Sequence, residues 1–227
     1  MRTILVVGGS KGIGKAILAQ LADNHKVINL SRTSPEFEHP NLTNFQLDVL
    51  SDDLPELESL DGLVYCPGTI NLRPFSRLDR HAFLEDFEIN VLGAVRCFHK
   101  YEKVLKKGET PSVVMFSTVA SHMGMPFHSS VAVSKSGVEG LVMSLAAEWA
   151  PRIRVNAIAP TITDTTLAQG ILRNDAMRDK MNERHPLKKI LDPVEVADLA
   201  VYLLSSKAAS LSGQVFKMDC GMLSVRV

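Results

Sequence analysis

Cysteine is scarce in this sequence, and its distribution excludes two common stabilising devices. The 227 residues contain only three cysteines, Cys66, Cys97 and Cys220, which lie far apart and are odd in number. Without a C-x-x-C pair they argue against both a disulfide framework and a zinc site. We therefore expect three reduced thiols and no bound metal.

An excess of charge of one sign is also lacking. The 25 Lys and Arg balance the 25 Asp and Glu, so the formal net charge is zero and the pI is about 7.1. Nucleic acids and anionic membranes are recognised by clustered unpaired cations, so neither is an expected partner. The first apolar run, Ile4 to Val7, is far too short for a secretory or membrane-spanning segment. These absences predict a soluble, cytoplasmic protein.

Short apolar runs alternate with longer helical segments along the whole chain. Such runs are typical of buried parallel strands, and the alternation is typical of an α/β protein. The length predicts one domain, spanning residues 1–227. The predicted strands are Ile4–Val7, Lys26–Leu30, Phe45–Leu47, Gly62–Tyr65, Ser112–Phe116, Ile153–Ile158 and Gln214–Met218. The predicted helices are Gly12–Ala22, Asp79–Lys106, Ser130–Trp149, Thr165–Met181 and Pro193–Ser205.

Seven such strands predict one doubly wound parallel sheet flanked by helices. Only residues 31–44 separate the second and third strands, and they include two prolines. A crossover helix has little room there, so we expect a short loop instead.

A glycine-rich turn joins the first strand to the first helix. Gly8, Gly12 and Gly14 belong to the run G-G-S-K-G-I-G. Glycine lets the backbone turn sharply and approach a pyrophosphate, whose charge then meets the N-terminus of the helix. The run predicts a Rossmann-like, dinucleotide-binding domain; the alternative is a glycine-rich turn that binds nothing.

Further motifs make the sequence similar to the classical short-chain dehydrogenase/reductase family over nearly its entire length. The family's G-x-x-x-G-x-G is the glycine run itself. Other matches are Asp48-Val49 for its adenine-contacting D-V, Gly68 for the end of its N-N-A-G, Asn90 in N-V-L-G and Asn156 in N-A-I-A-P.

The resemblance implies a nicotinamide dinucleotide cofactor. The second strand ends in Ser31-Arg32 without an acid to accept a ribose hydroxyl, and Lys11 adds a second cation. NADP(H) is therefore expected, with NAD(H) as the alternative if both cations are only solvated surface charges. The residues that the resemblance places at the cofactor are Gly8, Ser10, Lys11, Gly12, Ile13, Gly14, Ser31, Arg32, Asp48, Val49, Cys66, Gly68, Asn90, Lys135, Pro160, Ile162 and Thr165.

The resemblance also implies hydride transfer between nicotinamide and a carbonyl or alcohol carbon, with the tyrosine of a Y-x-x-x-K motif moving the proton. Lys135 is present, but Val131 occupies the usual tyrosine position. Valine has no proton to give. The chain's three tyrosines all lie outside this segment, so an altered proton relay is expected.

Several groups near Val131 are candidates for that relay. Thr118 stands at the family's serine position and can hydrogen-bond a substrate oxygen. His128 is the best-suited acid of the segment, His122 is second, and a water held through Asn90 and Lys135 is a further route. The predicted catalytic residues are Asn90, Thr118 and Lys135.

The remaining predictions concern the substrate and self-association. Residues 161–186 correspond to the variable region that covers the substrate in the family, and Met123, Met125 and Phe127 are expected to form an opposite apolar wall. A homodimer or homotetramer is expected through the helix that bears Lys135, unless its apolar stripe faces only the sheet. That stripe consists of Val138, Leu141, Val142, Leu145, Ala146 and Trp149.

Two functional hypotheses follow. The first is an NADP(H)-dependent oxidoreductase of a small-molecule carbonyl or alcohol, supported by the retention of Asn90, Thr118 and Lys135. The alternative is a catalytically impaired pseudoenzyme that serves as a nucleotide-binding or structural subunit, supported by Val131.

Overall fold

A computed structural model describes residues 1–226 and contains one seven-stranded sheet. All neighbouring strands are parallel, in the order β3-β2-β1-β4-β5-β6-β7. This confirms the predicted doubly wound sheet. The strands are Thr3–Val7 (β1), Lys26–Ser31 (β2), Leu42–Gln46 (β3), Gly62–Tyr65 (β4), Ser112–Phe116 (β5), Arg154–Pro160 (β6) and Val215–Met218 (β7).

Helices cover both faces of the sheet. They are Gly12–Ala22 (α1), Arg80–Phe87 (α2), Gly93–Leu105 (α3), Ser129–Trp149 (α4), Asp175–Arg184 (α5) and Pro193–Leu204 (α6). One buried apolar cluster joins α3 and α4 to the sheet, and a second joins α1 and α6 to its other face. Within the described chain, no helix combines the length and apolarity needed to cross a bilayer.

The order of the strands determines where the sheet opens a crevice for a ligand. The chain moves outward from β1 through β2 to β3, then returns to pair β4 with β1 on the other side. Crossovers on the two halves therefore diverge at β1 and β4, and open a crevice at the carboxyl ends of the strands. The segment between β2 and β3 is an irregular loop, as predicted.

Two predicted helices differ in the structure. The helix predicted from Asp79 to Lys106 is interrupted by a π-helical turn, Glu88–Leu92. The helix predicted over Thr165–Met181 is wrong for its first half, which holds only a 3-10 turn, Thr166–Ala168. Asn174 caps α5 by accepting a hydrogen bond from the backbone N–H of Met177 at 2.9 Å, so the regular helix begins after it.

The apolar stripe on α4 packs inside the chain. Val138, Val142, Ala146 and Trp149 are buried in the cluster under α3 and α4, and Leu141 and Leu145 pack against it at its edge. The stripe therefore serves the protein's own core, and the self-association that the resemblance implies stays a prediction.

Gly93 provides a direct test of packing around the π-helical turn. A Cβ at this position would lie 2.2 Å from the hydroxyl of Tyr65, which donates a hydrogen bond to the Ile89 carbonyl at 2.7 Å. Gly93→Ala is expected to lower the free energy of unfolding by about 2 to 3 kcal/mol, because the buried ring must move and lose its partner. Chemical denaturation measures the change.

Gly140→Ala is the matched control on α4. Nothing lies within 4 Å of a Cβ at Gly140, so the substitution is expected to raise the free energy of unfolding by about 0.5 to 1 kcal/mol. Equal effects of the two substitutions would contradict the packing argument.

Candidate active site

The glycine-rich turn depends on two positive φ angles and one close backbone approach. Gly8 and Gly12 have positive φ angles of 80° and 53°, which glycine adopts without a Cβ penalty. A Cβ on Gly14 would lie 2.3 Å from the Gly8 carbonyl oxygen, so only glycine lets the helix start directly on the turn. The N-cap residue of α1 is Lys11, and its side chain makes no hydrogen bond to the first backbone N–H groups of the helix. Those groups are suited to bind a phosphate.

A buried asparagine holds this turn against the second strand. Asn29 accepts a hydrogen bond from the Gly9 N–H at 2.9 Å and donates to Ser31 Oγ at 2.7 Å. It also donates to Asn44 on β3. This fully buried amide therefore links the glycine turn, β2 and β3, and fixes the end of β2 where Ser31 and Arg32 lie.

Two cations stand at that end of the cavity. Lys11 and Arg32 are both exposed and line the same cavity. The following loop carries two acids, Glu36 and Glu38, and neither lines the cavity. Glu36 is paired with Lys15, whose ammonium lowers the pKa of the Glu36 carboxyl. Lys11 and Arg32 are thus available to an anionic group.

A cavity of about 1030 Å³ runs along the carboxyl edge of the sheet. Every residue that the sequence placed at the cofactor or among the catalytic groups lines it, apart from Asn90. A bound dinucleotide fits the chemistry of its walls: glycine turn and free N–H groups at one end, a buried lysine at the other. No group of three His, Cys, Asp or Glu in the described part of the chain is arranged to hold a metal.

Lys135 is buried at the inner end of the cavity. Its Nζ donates to the Phe116 carbonyl at 2.9 Å, which ties α4 to the end of β5. Burial lowers the pKa of Lys135 to about 8, and the negative charge of Asp86 opposes this shift. An ammonium with a pKa of about 8 gives up its proton more readily than that of an exposed lysine.

The π-helical turn aims Asn90 towards Lys135. A Cβ added to Gly68 would lie 3.3 Å from Asn90 Oδ1 and 3.2 Å from Lys135 Nζ, so both polar atoms approach the same glycine. Asn90 is 1% exposed, and its Oδ1 has no hydrogen-bond partner among the described residues. A buried unpartnered acceptor beside an ammonium is suited to hold a water.

Val131 lies one helical turn before Lys135, is buried and lines the cavity. No phenol is free to substitute for it: Tyr65 donates to Ile89, Tyr101 donates to Pro55, and Tyr202 is exposed on α6. Burial raises the pKa of both Tyr65 and Tyr101, which makes them weaker acids still.

Of the hydroxyl and imidazole candidates for the proton relay, the fold brings Thr118 and His128 to the cavity but not His122. Thr118 lines the cavity and accepts a weak hydrogen bond from the Ala120 N–H at 3.3 Å. His128 also lines it, with Nδ1 2.7 Å from the Pro126 carbonyl. His122 instead pairs with Glu139 at 3.0 Å and is not among the lining residues.

The apolar wall is partly as predicted. Met125 and Phe127 line the cavity, but Met123 does not. From the covering segment, Leu167 and Ile171 face the cavity, whereas Leu172 is buried elsewhere in the core.

Sequence reasoning missed three polar residues beside the cavity: Thr69, Asp86 and Ser134. Asp86 precedes Asn90 by four residues, a spacing that places both on one helical face. A carboxyl on the buried face of a helix was therefore a signal available in the sequence. Its partner Thr69 could not be found without the fold.

The buried ammonium of Lys135 predicts a pH dependence of stability. Its folded pKa of about 8 lies below the ordinary 10.5, so between these values the unfolded chain binds more protons. Raising the pH through this window therefore stabilises wild type relative to Lys135→Met, by up to about 3 kcal/mol. Denaturation of both proteins from pH 7 to 10.5 measures the difference.

Lys107→Met, which removes an exposed lysine, is the control for that experiment. It is expected to follow the wild-type pH profile. Parallel profiles for wild type and Lys135→Met would show that the ammonium is not desolvated.

Comparisons with known proteins agree with this geometry. A family model described as enoyl-(acyl carrier protein) reductase matches residues 47–223. Carbonyl reductase (NADPH) 2 of Sus scrofa is 25% identical over 233 residues, covering 97% of this chain and 96% of its own.

Two solved structures have closely similar folds. A short-chain dehydrogenase family protein of Francisella tularensis subsp. tularensis has a TM-score of 0.89 and 27% identity, covering 99% of this chain and 100% of its own. ElxO with NADP bound has a TM-score of 0.86 and 26% identity, covering 99% of each chain. These similarities support oxidoreductase activity and do not favour the catalytically impaired alternative. With the family model matching more than three quarters of its length, the chain belongs to the short-chain dehydrogenase/reductase family.

Proposed function

We propose that this protein is an NADP(H)-dependent oxidoreductase that transfers hydride between nicotinamide and a carbonyl or alcohol carbon of a small molecule. The observation that carries the proposal is the cavity, which joins a phosphate-binding glycine turn to the buried ammonium of Lys135. Val131 in the usual tyrosine position makes the proton relay an altered one.

Different residues would hold the two ends of the cofactor at the two ends of the cavity. Residues 8–14 and the N-terminus of α1 would hold the pyrophosphate, and Asp48 and Val49 the adenine side. Cys66, Gly68, Pro160, Ile162 and Thr165 would hold the nicotinamide side. The bound nicotinamide supplies or accepts the hydride.

The preference for a 2′-phosphate rests on Lys11 and Arg32. Both are exposed cations at the end of β2, and no acid at that strand end is offered to a ribose hydroxyl. The relatives named for NADPH and NADP support the same preference.

The substrate is proposed to be a small, largely apolar carbonyl or alcohol compound. Met125, Phe127, Leu167 and Ile171 supply apolar surface around the inner end of the cavity. Thr118 offers a hydroxyl to the substrate oxygen. Lys135, through a water held by Asn90, is one source of the proton, and His128 at the cavity wall is a second.

Cofactor choice is tested by calorimetric titration of NADPH and NADH. Wild type is expected to bind NADPH at least about tenfold more tightly, since two cations meet the extra phosphate. Lys11→Ala combined with Arg32→Ala should remove that preference and leave NADH affinity within about threefold. Lys107→Ala, at an exposed lysine, is the control. Equal affinities in wild type would contradict the NADP(H) assignment.

Restoring the phenol tests the altered relay. Val131→Tyr places a hydroxyl in the cavity one turn before Lys135, whose ammonium favours the phenolate. The carbonyl probes are 2,3-butanedione, cyclohexanone and benzaldehyde. We expect wild type to oxidise NADPH with them, and the rate of NADPH oxidation to be about tenfold higher or more in the variant.

Val133→Tyr is the matched control, because Val133 lies on the same helix and is 58% exposed. It should leave the rate unchanged. Activity confined to Val131→Tyr would identify wild type as a nucleotide-binding protein without turnover, and absence of NADPH binding would overturn the whole proposal.

A further inference from the structure

A chain of hydrogen-bonded side chains lies behind the cavity wall next to Lys135. Asn90 Nδ2 donates to Thr69 Oγ1 at 3.1 Å and to Ser134 Oγ at 3.0 Å. Thr69 Oγ1 donates to Asp86 Oδ1 at 2.5 Å. Asp86 is 1% exposed, whereas Thr69 lines the cavity. Thr69 therefore connects a buried carboxyl to the space proposed for the substrate.

The Asn90 amide sets the direction in which Thr69 donates. Because the Asn90 nitrogen only donates, Thr69 accepts from it, and its single hydroxyl hydrogen points to Asp86. A second lone pair on Thr69 Oγ1 is left for a group in the cavity. A substrate hydroxyl that donates to this lone pair has a continuous proton path to the carboxyl.

Asp86 is buried, and a carboxyl group is energetically unfavourable in such a position. Burial of an acid requires pairing and hydrogen bonds, and Asp86 Oδ2 has no partner anywhere in residues 1–226. The Asp86 carboxylate acts electrostatically on Lys135 of α4 and favours its ammonium form. On its own helical run, Glu85 and Glu88 are exposed. The unpartnered Oδ2 leaves this carboxyl an oxygen on which a proton passed on by Thr69 can be held.

We infer that Thr69 and Asp86 form a proton-transfer pair that takes up and returns the substrate proton in place of a phenol at position 131. The inference rests on the proposed function, which it deepens. Thr69 is the catalytic residue, because it touches the substrate oxygen. Asp86 acts through Thr69 by holding the proton.

The step balances in both directions. During alcohol oxidation, the substrate O–H bond breaks as its proton passes to Thr69 Oγ1, and the Thr69 proton passes to Asp86. The electron pair of the substrate C–H bond leaves as hydride to NADP⁺, and the C=O bond forms. Carbonyl reduction reverses each transfer: hydride reaches carbon from NADPH, and the oxygen receives a proton from Thr69, which regains one from Asp86.

Four variants test the pair at saturating NADPH with the three carbonyl probes. Thr69→Val keeps the side-chain shape without the hydroxyl, and Thr69→Ser restores the hydroxyl. Asp86→Asn keeps an acceptor for Thr69 but does not take up the proton. Glu88→Gln removes an exposed carboxylate from the adjoining helical turn and is the matched control.

The expected result separates the pair from a structural role. Thr69→Val and Asp86→Asn should lower kcat by about 100-fold or more, with KM changed by less than about threefold. Thr69→Ser should recover at least about a third of the wild-type kcat, and Glu88→Gln should match wild type.

Two readouts do not depend on turnover. NADPH affinity measured by calorimetry should be unchanged in Thr69→Val and Asp86→Asn. The pKa of Lys135, followed by NMR of its labelled side chain, should fall in Asp86→Asn, because the carboxylate favours the ammonium.

The outcomes distinguish failure of the pair from failure of the proposed function. Wild-type kcat in Thr69→Val and Asp86→Asn would overturn the pair and leave the function standing. A loss that Thr69→Ser does not recover, or that accompanies lost NADPH affinity and a lower Tm, would also overturn it. Absence of NADPH binding, or of turnover with all three probes, in wild type would overturn the proposed function and the pair together.

Discussion

The buried ammonium of Lys135 is the interaction on which the inner half of the cavity depends. A charge removed from water is unstable unless polar groups surround it. The Phe116 carbonyl accepts a hydrogen bond from it at the end of β5, Gly68 lets it approach the turn after β4, and the charge of Asp86 opposes its deprotonation. The lysine therefore draws three separate chain segments to one point at the edge of the sheet.

The π-helical turn is the second half of this arrangement. One extra residue per turn moves Asn90 out of the regular helical register, so that its amide reaches both Thr69 and Ser134. Gly93 then allows the Tyr65 hydroxyl to lie against the helix and to bond the Ile89 carbonyl. The Tyr65 phenol thus stabilises the irregular turn and is not offered to a substrate.

The two ends of the cavity are built differently. The glycine turn is held by backbone contacts and by the buried Asn29, so its shape is largely preformed. The inner end is bounded by loops, including Phe127 with a positive φ angle of 69°, and by the short 3-10 turn Thr166–Ala168. Loops of this kind tolerate substitution, which suits a substrate wall, whereas a phosphate-binding turn tolerates little.

The sequence by itself determined the architecture and one end of the site. Buried parallel strands and glycine turns are local patterns, so residues 8–14 and the strands were predictable from neighbours in the chain, although the third strand begins three residues earlier than predicted. Lys135 was identified only through the family resemblance. The interruption at Glu88–Leu92 and the loss of helix before Asn174 were not, because both depend on contacts that only the folded chain makes. The tertiary structure alone decided that Thr69 meets Asp86, that His122 turns to Glu139 and that the α4 stripe lies in the core. Each of these is a contact between residues distant in sequence, and local periodicity carries no information about such pairs.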